Sequence, residues 1–168
     1  MFSKAKERLG VAAAIQRGDA ASGRIQACYV SPPTEKQVHL IFEQGEVDFL
    51  FYLFEGGRSW DGSDRCLVSR KISRNVVTGA GLHLGQTRGQ VIAILGKPTI
   101  ESKNTLTYSF SVSRKSSLDL KQARRYHPGL NDKDLLKEFG FYDLNASVIA
   151  RFEQGHLTYL AVSKSETN

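Results

Sequence analysis

This 168-residue sequence predicts an α+β fold: short helices packed on antiparallel β-sheet, in two degenerate tandem repeats. Three observations carry that reading. The tetrapeptide FEQG occurs twice, inside VHLIFEQGEVDFL (38–50) and VIARFEQGHLTYL (148–160), with Val and Leu at matching offsets. Repeated segments of this kind are the first thing to settle before a fold is assigned. Apolar and polar residues alternate around each copy, as half-buried strands require. Between the copies, GLHLGQTRGQVIAILGKP (81–98) contains one short, well-delimited helix.

The chain divides accordingly into a first repeat (1–60), a connector (61–80) and a second repeat (81–168) carrying an insertion (113–145). In the first repeat, Leu9-Gly10 pairs with Leu95-Gly96 as a helix end, followed by strands at Arg24–Val30 and Val38 onward. Gln44-Gly45 and Gln154-Gly155 sit where a two-residue hairpin turn places a glycine at positive φ. That register puts Val38, Leu40, Phe42, Val47, Phe49 and Phe51 on one face of the first hairpin. It puts Val148, Ala150, Phe152, Leu157, Tyr159 and Ala161 on the matching face of the second.

From the end of the first repeat into the connector, EGGRSWDGSD (55–64) reads as a loop, and Cys66–Val68 and Asn75–Thr78 as short strands. The second helix starts at Thr87, which with Gln90 has the spacing of a reciprocal cap. Val91, Ile94 and Leu95 follow on one face; Gly96 ends the helix and Pro98 forbids its continuation. The strand Thr105–Val112 leads into the insertion, where Asn131 caps a helix, DKDLLKEF, that stops at Gly140.

The second repeat has a lead-in, Gly81–Gln86, whose counterpart in the first would fall at or before Met1. The expectation is a coding region that begins upstream with a signal peptide, which makes the protein periplasmic or secreted. If Met1 is the true start, it is cytoplasmic. No apolar run of about eighteen residues predicts a transmembrane helix. Cys28 and Cys66 are the full cysteine complement. In an oxidising compartment they close a loop worth about 4 kcal/mol in the chain-entropy model; in a reducing one they are two small buried apolar residues.

Chemistry is harder to find. The histidines at 39, 83, 127 and 156 are isolated, no CxxC or phosphate-loop pattern is present, and neither a cofactor nor a metal is predicted. The informative anomaly is the far face of the first hairpin. His39, Ile41, Asp48, Leu50, Tyr52 and Phe54 point away from the predicted core, and several are large and apolar. They are either buried by another part of the chain or form a patch for a protein partner, with Ile41, Leu50, Tyr52, Phe54 and the nearby Trp60 as its candidates. Net charge is +6 and pI about 9.4. This permits a first alternative, binding of nucleic acid or lipid headgroups through the basic residues of the insertion (Lys121, Arg124, Arg125, His127, Lys133, Lys137). A second alternative is an enzyme of unrecognised type, for which a deep pocket with convergent polar groups is the signature.

Gly81-Leu82-His83-Leu84-Gly85, Thr87, Val91 and Leu95-Gly96-Lys97-Pro98, with the later Phe152–Gly155 hairpin, resemble a recurring motif of the BamE (SmpA/OmlA) family. They also resemble tandem relatives built like β-lactamase inhibitory protein. The resemblance implies two short helices on an antiparallel sheet in each module. It further implies a non-catalytic, protein-binding role, commonly in the bacterial cell envelope. The insertion is not part of that pattern, and the motif carries over no interface residue.

Overall fold

A computed structural model of the chain describes residues 2–17, 23–33, 36–56 and 65–167. Among the described residues it is α+β: one nine-stranded sheet with four short helices. The element order is α1 (Phe2–Leu9), β1 (Ala14–Arg17), β2 (Arg24–Val30), β3 (Val38–Gln44), β4 (Asp48–Glu55) and β5 (Leu67–Val68). Then come α2 (Arg88–Leu95), β6 (Ile100–Glu101), β7 (Thr105–Lys115), α3 (Leu120–Tyr126), α4 (Asp132–Phe139), β8 (Phe141–Glu153) and β9 (His156–Thr167).

The strands lie in the order β1-β2-β3-β4-β9-β8-β7-β6, every neighbour antiparallel, with β5 added in parallel beside the end of β2. Each half of the chain is therefore a meander, and the two meanders meet where β4 pairs with β9. One face of the sheet is the core. Tyr29, Leu40, Leu53, Leu106, Tyr108, Ala150 and Leu160 are all buried there, beneath Val91 of α2, Leu9 of α1 and the segment carrying Ile72, Leu82 and Leu84.

The stretch between the halves is held by backbone geometry. Thr87 accepts from the Gln90 amide while the Gln90 side chain accepts from the Thr87 amide, closing the predicted capping box. Gly85, at φ +86°, donates to Leu157 O, and Leu157 donates back to Gln86 O, each at 2.8 Å. The lead-in to α2 is thereby clamped to the start of β9.

Four local expectations need correction. The first hairpin does not turn at Gln44-Gly45: Gln44 pairs with Phe49, Gly45 donates to Asp48 O, and Glu46-Val47 form the turn. Gly45 is not at positive φ; a Cβ there would meet the Asp48 carboxylate, which would have to move aside. The register moves by an even number of residues, so Val38, Leu40, Phe42, Phe49 and Phe51 keep a common face, while Val47 falls in the turn, 60% exposed.

The second hairpin does turn at Gln154-Gly155, both at positive φ (50° and 81°). However, Phe152 pairs with Leu157 and Arg151 with Tyr159, which leaves Thr158 as an unpaired bulge residue. One extra residue reverses the facing of everything after it. Leu160 and Val162, not Tyr159 and Ala161, lie on the core face.

The third correction is the connector, where Leu67–Val68 is a strand but 75–78 is turn and irregular chain. The fourth is the insertion: β7 runs on to Lys115 and β8 starts at Phe141, so the excursion is a helical hairpin at 116–140. Asn131 caps α4 as expected, accepting from the Asp134 amide, and Leu135 is fully buried.

Candidate functional site: the outer face of the sheet

The face away from α1 and α2 is not uniform. Toward β2 and β3 it is buried: Cys28 and Ile41 are 1% and 2% exposed, and Phe54 beside them is 7% exposed. Cys28 and Cys66 are joined by a disulfide that fastens the start of β5 to β2. Tyr52, Cys66 and Tyr159 pack on this cluster. Of the residues singled out from sequence, Ile41 and Phe54 thus form the floor, and Leu50 and Tyr52 are half-buried at the surface. Trp60 lies outside the described residues.

The residue that completes the patch is Tyr159, which the Thr158 bulge delivers to this face. Its ring centroid lies 6.5 Å from that of Tyr52 and 6.1 Å from that of Phe54. Arg151, directly opposite on β8, holds its guanidinium 4.7 Å from the Tyr159 ring centre, a cation–π distance. Simple alternation does not announce the bulge, because read through Thr158 it assigns Tyr159 to the core. The one available signal is the succession LTYL after a tight turn, in which Leu157 and Leu160 cannot share a face without an extra residue between them.

The electrostatic rim lies on one side. Arg24 bonds Asp48 at 2.5 Å and lies 3.8 Å from Glu43, and Gln26 donates to Glu43. Burial, then the negative charge of Glu43 and the neighbouring Tyr159, pushes the Tyr52 phenol up to about 12. It stays a neutral hydrogen-bond donor across the accessible pH range. His39, 7% exposed, stacks on Phe54 with centroids 5.0 Å apart and planes 8° from parallel. Burial lowers its pKa, and its Nδ1 has no hydrogen-bond partner among the described residues.

Across β9, β8 and β7 the same face becomes hydroxyl-lined: Ser163 lies opposite Ser147 with their oxygens 2.7 Å apart, and Ser109 lies opposite Ser147 on the other side. The result is an open surface, apolar and aromatic where the meanders join and polar beyond. The basic residues of the insertion are arranged differently. Arg124 is engaged by Asp132 through two bonds, at 2.7 and 2.5 Å, and acidic side chains cap both helices or occupy their first turns. Among the described residues, no group of three or more His, Cys, Asp or Glu side chains is placed to hold a metal ion. No helix of the described chain is long and apolar enough to cross a membrane. Comparisons with family models, with curated proteins and with solved structures find no match to this chain.

Proposed function

We propose that the chain is a non-catalytic protein-binding module built from two degenerate repeats of the BamE type, and that it works through the outer face at the seam between them. The observation that carries this reading is the placement of Tyr52 and Tyr159. Leu40 pairs with Leu53 in the first half and Ala150 with Leu160 in the second, two residues before each FEQG phenylalanine. Leu53 and Leu160 are therefore equivalent positions, and they face each other across the β4–β9 seam. Tyr52 and Tyr159, one residue earlier in each strand, are then pseudo-two-fold mates on the outer face.

Duplication explains why two tyrosines converge on one point, and convergence makes the point useful. Tyrosines bring large, stiff, amphipathic area at low entropic cost, and a desolvated aromatic cluster with an arginine at its margin has the composition of an interface centre. The cell-envelope setting that the family resemblance implies is part of the same proposal, and a disulfide-closed loop suits an oxidising compartment.

The test is affinity capture with the wild type, with Tyr52→Ser/Tyr159→Ser, and with the helical hairpin 116–140 replaced by a short turn. Partners captured by the wild type and the hairpin deletion, lost from the tyrosine variant and little affected by salt, agree with the proposal. Partners lost with the hairpin, and steeply salt-sensitive, would transfer the function to a polyanion site on the insertion.

A further inference from the structure

The outer edge of β7 is open. Along its whole length, Thr105–Lys115, β7 pairs with β8 on one side. On the other side β6 covers only Leu106 and Thr107. Thr99 extends that cover slightly, donating to Thr107 O at 2.8 Å and accepting from the Ser109 amide through its hydroxyl at 3.0 Å. These contacts fix the phase of the strand. Thr107 and Ser109 direct their backbone groups away from β8, so by alternation Ser111, Ser113 and Lys115 do likewise. Among the described residues no backbone group answers them. Phe110 and Val112 are 47% and 49% exposed, and the window YSFSVS carries no charge and no proline, the strand's charges being confined to Arg114 and Lys115 at its end. An open edge with such a sequence is a template for another strand.

We propose that the strand it receives is β7 of a second copy, forming an antiparallel, two-fold symmetric pair that joins two sheets into one. The register follows from what the edge permits. Outward-facing residues must oppose outward-facing residues. Setting Ser111 opposite itself would drive the second copy's Lys115 against Thr107, whose carbonyl is already taken by Thr99. Setting Ser113 opposite itself shortens the ladder and brings Arg114 against Val112. Setting Ser111 opposite Ser113 clears β6 and keeps the longer span, 109–115, with only the Ser109 amide withheld because the Thr99 hydroxyl already accepts from it.

That register is also self-complementary in side chains. Val112 meets its own copy on the axis, in the close, non-hydrogen-bonded position. Phe110 meets Arg114 on both sides of it, a ring against a guanidinium. The surface is isologous, as a closed dimer requires. It is separate from the tyrosine patch, so the dimer stands or falls independently of the proposed partner.

Sedimentation equilibrium of the full chain over a concentration series up to ~1 mM, a range that captures weak association, is the first measurement; a concentration-dependent monomer–dimer equilibrium is expected. Ser111→Pro removes an amide hydrogen that points away from β8, so the internal ladder survives while two symmetric intermolecular bonds are lost. Dissociation should become ~30-fold easier. Val112→Lys, at an exposed position, sets two ammonium groups on the axis and should abolish the dimer. The register is read by oxidation: Val112→Cys should form a covalent dimer, and Phe110→Cys, facing Arg114, should not. A wild type that stays monomeric throughout the series overturns the proposal, as does a Ser111→Pro chain of unchanged melting temperature that dimerises like the wild type. Crosslinking through Phe110→Cys but not Val112→Cys overturns the register.

Discussion

Reducing the Cys28–Cys66 disulfide should cost the protein close to half of an ordinary domain's stability, and the figure can be worked from chain topology. The bridge closes a loop with a sequence separation of 38. In the chain-entropy model such a loop restricts the unfolded chain by about 13 cal/mol/K, or about 4 kcal/mol at 25 °C. A chain of 168 residues has an unfolding entropy of roughly 350 cal/mol/K near its midpoint, so the expected fall in Tm is about 11 °C. Calorimetry of the oxidised protein and of protein held in reductant, with thiols counted in each sample, measures it.

Reduced wild type is the better comparison than a double Cys→Ala variant. Cys28 is 1% exposed and packed with Ile41 and Phe54, so removing its sulfur would add a cavity cost to the loss of the cross-link. The structure adds a local expectation. The two-residue strand β5 sits on the end of β2 immediately after Cys66, so amide exchange at Leu67 and Val68 should rise more on reduction than exchange in β3. A difference below about 1 kcal/mol between fully oxidised and fully reduced protein would refute the argument, because the loop-closure term is then not expressed in this chain.

Leu160→Ala removes a fully buried side chain opposite Leu53 at the seam and should cost about 3 kcal/mol by chemical denaturation. Gln154 is the one non-glycine residue at positive φ among the described residues, so Gln154→Asn, better suited to that turn, should stabilise by about 0.5 kcal/mol in the same assay. Because burial lowers the pKa of His39, the unfolded chain takes up this proton first as pH falls below the ordinary value of 6.5. Its contribution is fully present above that value, is lost as pH drops toward the lowered folded pKa, and levels off below it. His39→Phe should flatten that part of a stability–pH profile, and an unchanged slope would exclude His39 as its source.

Sequence reasoning reached the caps and one of the two hairpin turns, and missed the other turn, a bulge and the seam. The caps at Thr87 and Asn131, the Gln154-Gly155 turn and the far-face placement of Tyr52 depend on residues a few positions apart, and each is legible. The turn at Glu46-Val47 is not legible because Gly45 suggests a positive φ, which it does not adopt. Tyr159 was assigned to the wrong face because one unpaired residue, Thr158, has no compositional mark and inverts every later assignment. The pairing of β4 with β9 joins hairpins that carry nothing local to name their partner, so the meeting of Tyr52 with Tyr159 could not be read before the sheet order was known.

The arrangement of strands also has a kinetic consequence. Within each half, successive strands are chain neighbours or are separated by one helical hairpin, so both meanders can zip from local contacts. The seam is different: it joins Phe54 to Tyr159 and Asp48 to Ser165, separations of 105 and 117 positions. Closure over such distances is entropically slow, and the folding rate should be governed by the docking of two preformed meanders. Substitutions at Leu53 or Leu160 would then slow folding, whereas lesions confined to either outer edge would chiefly accelerate unfolding.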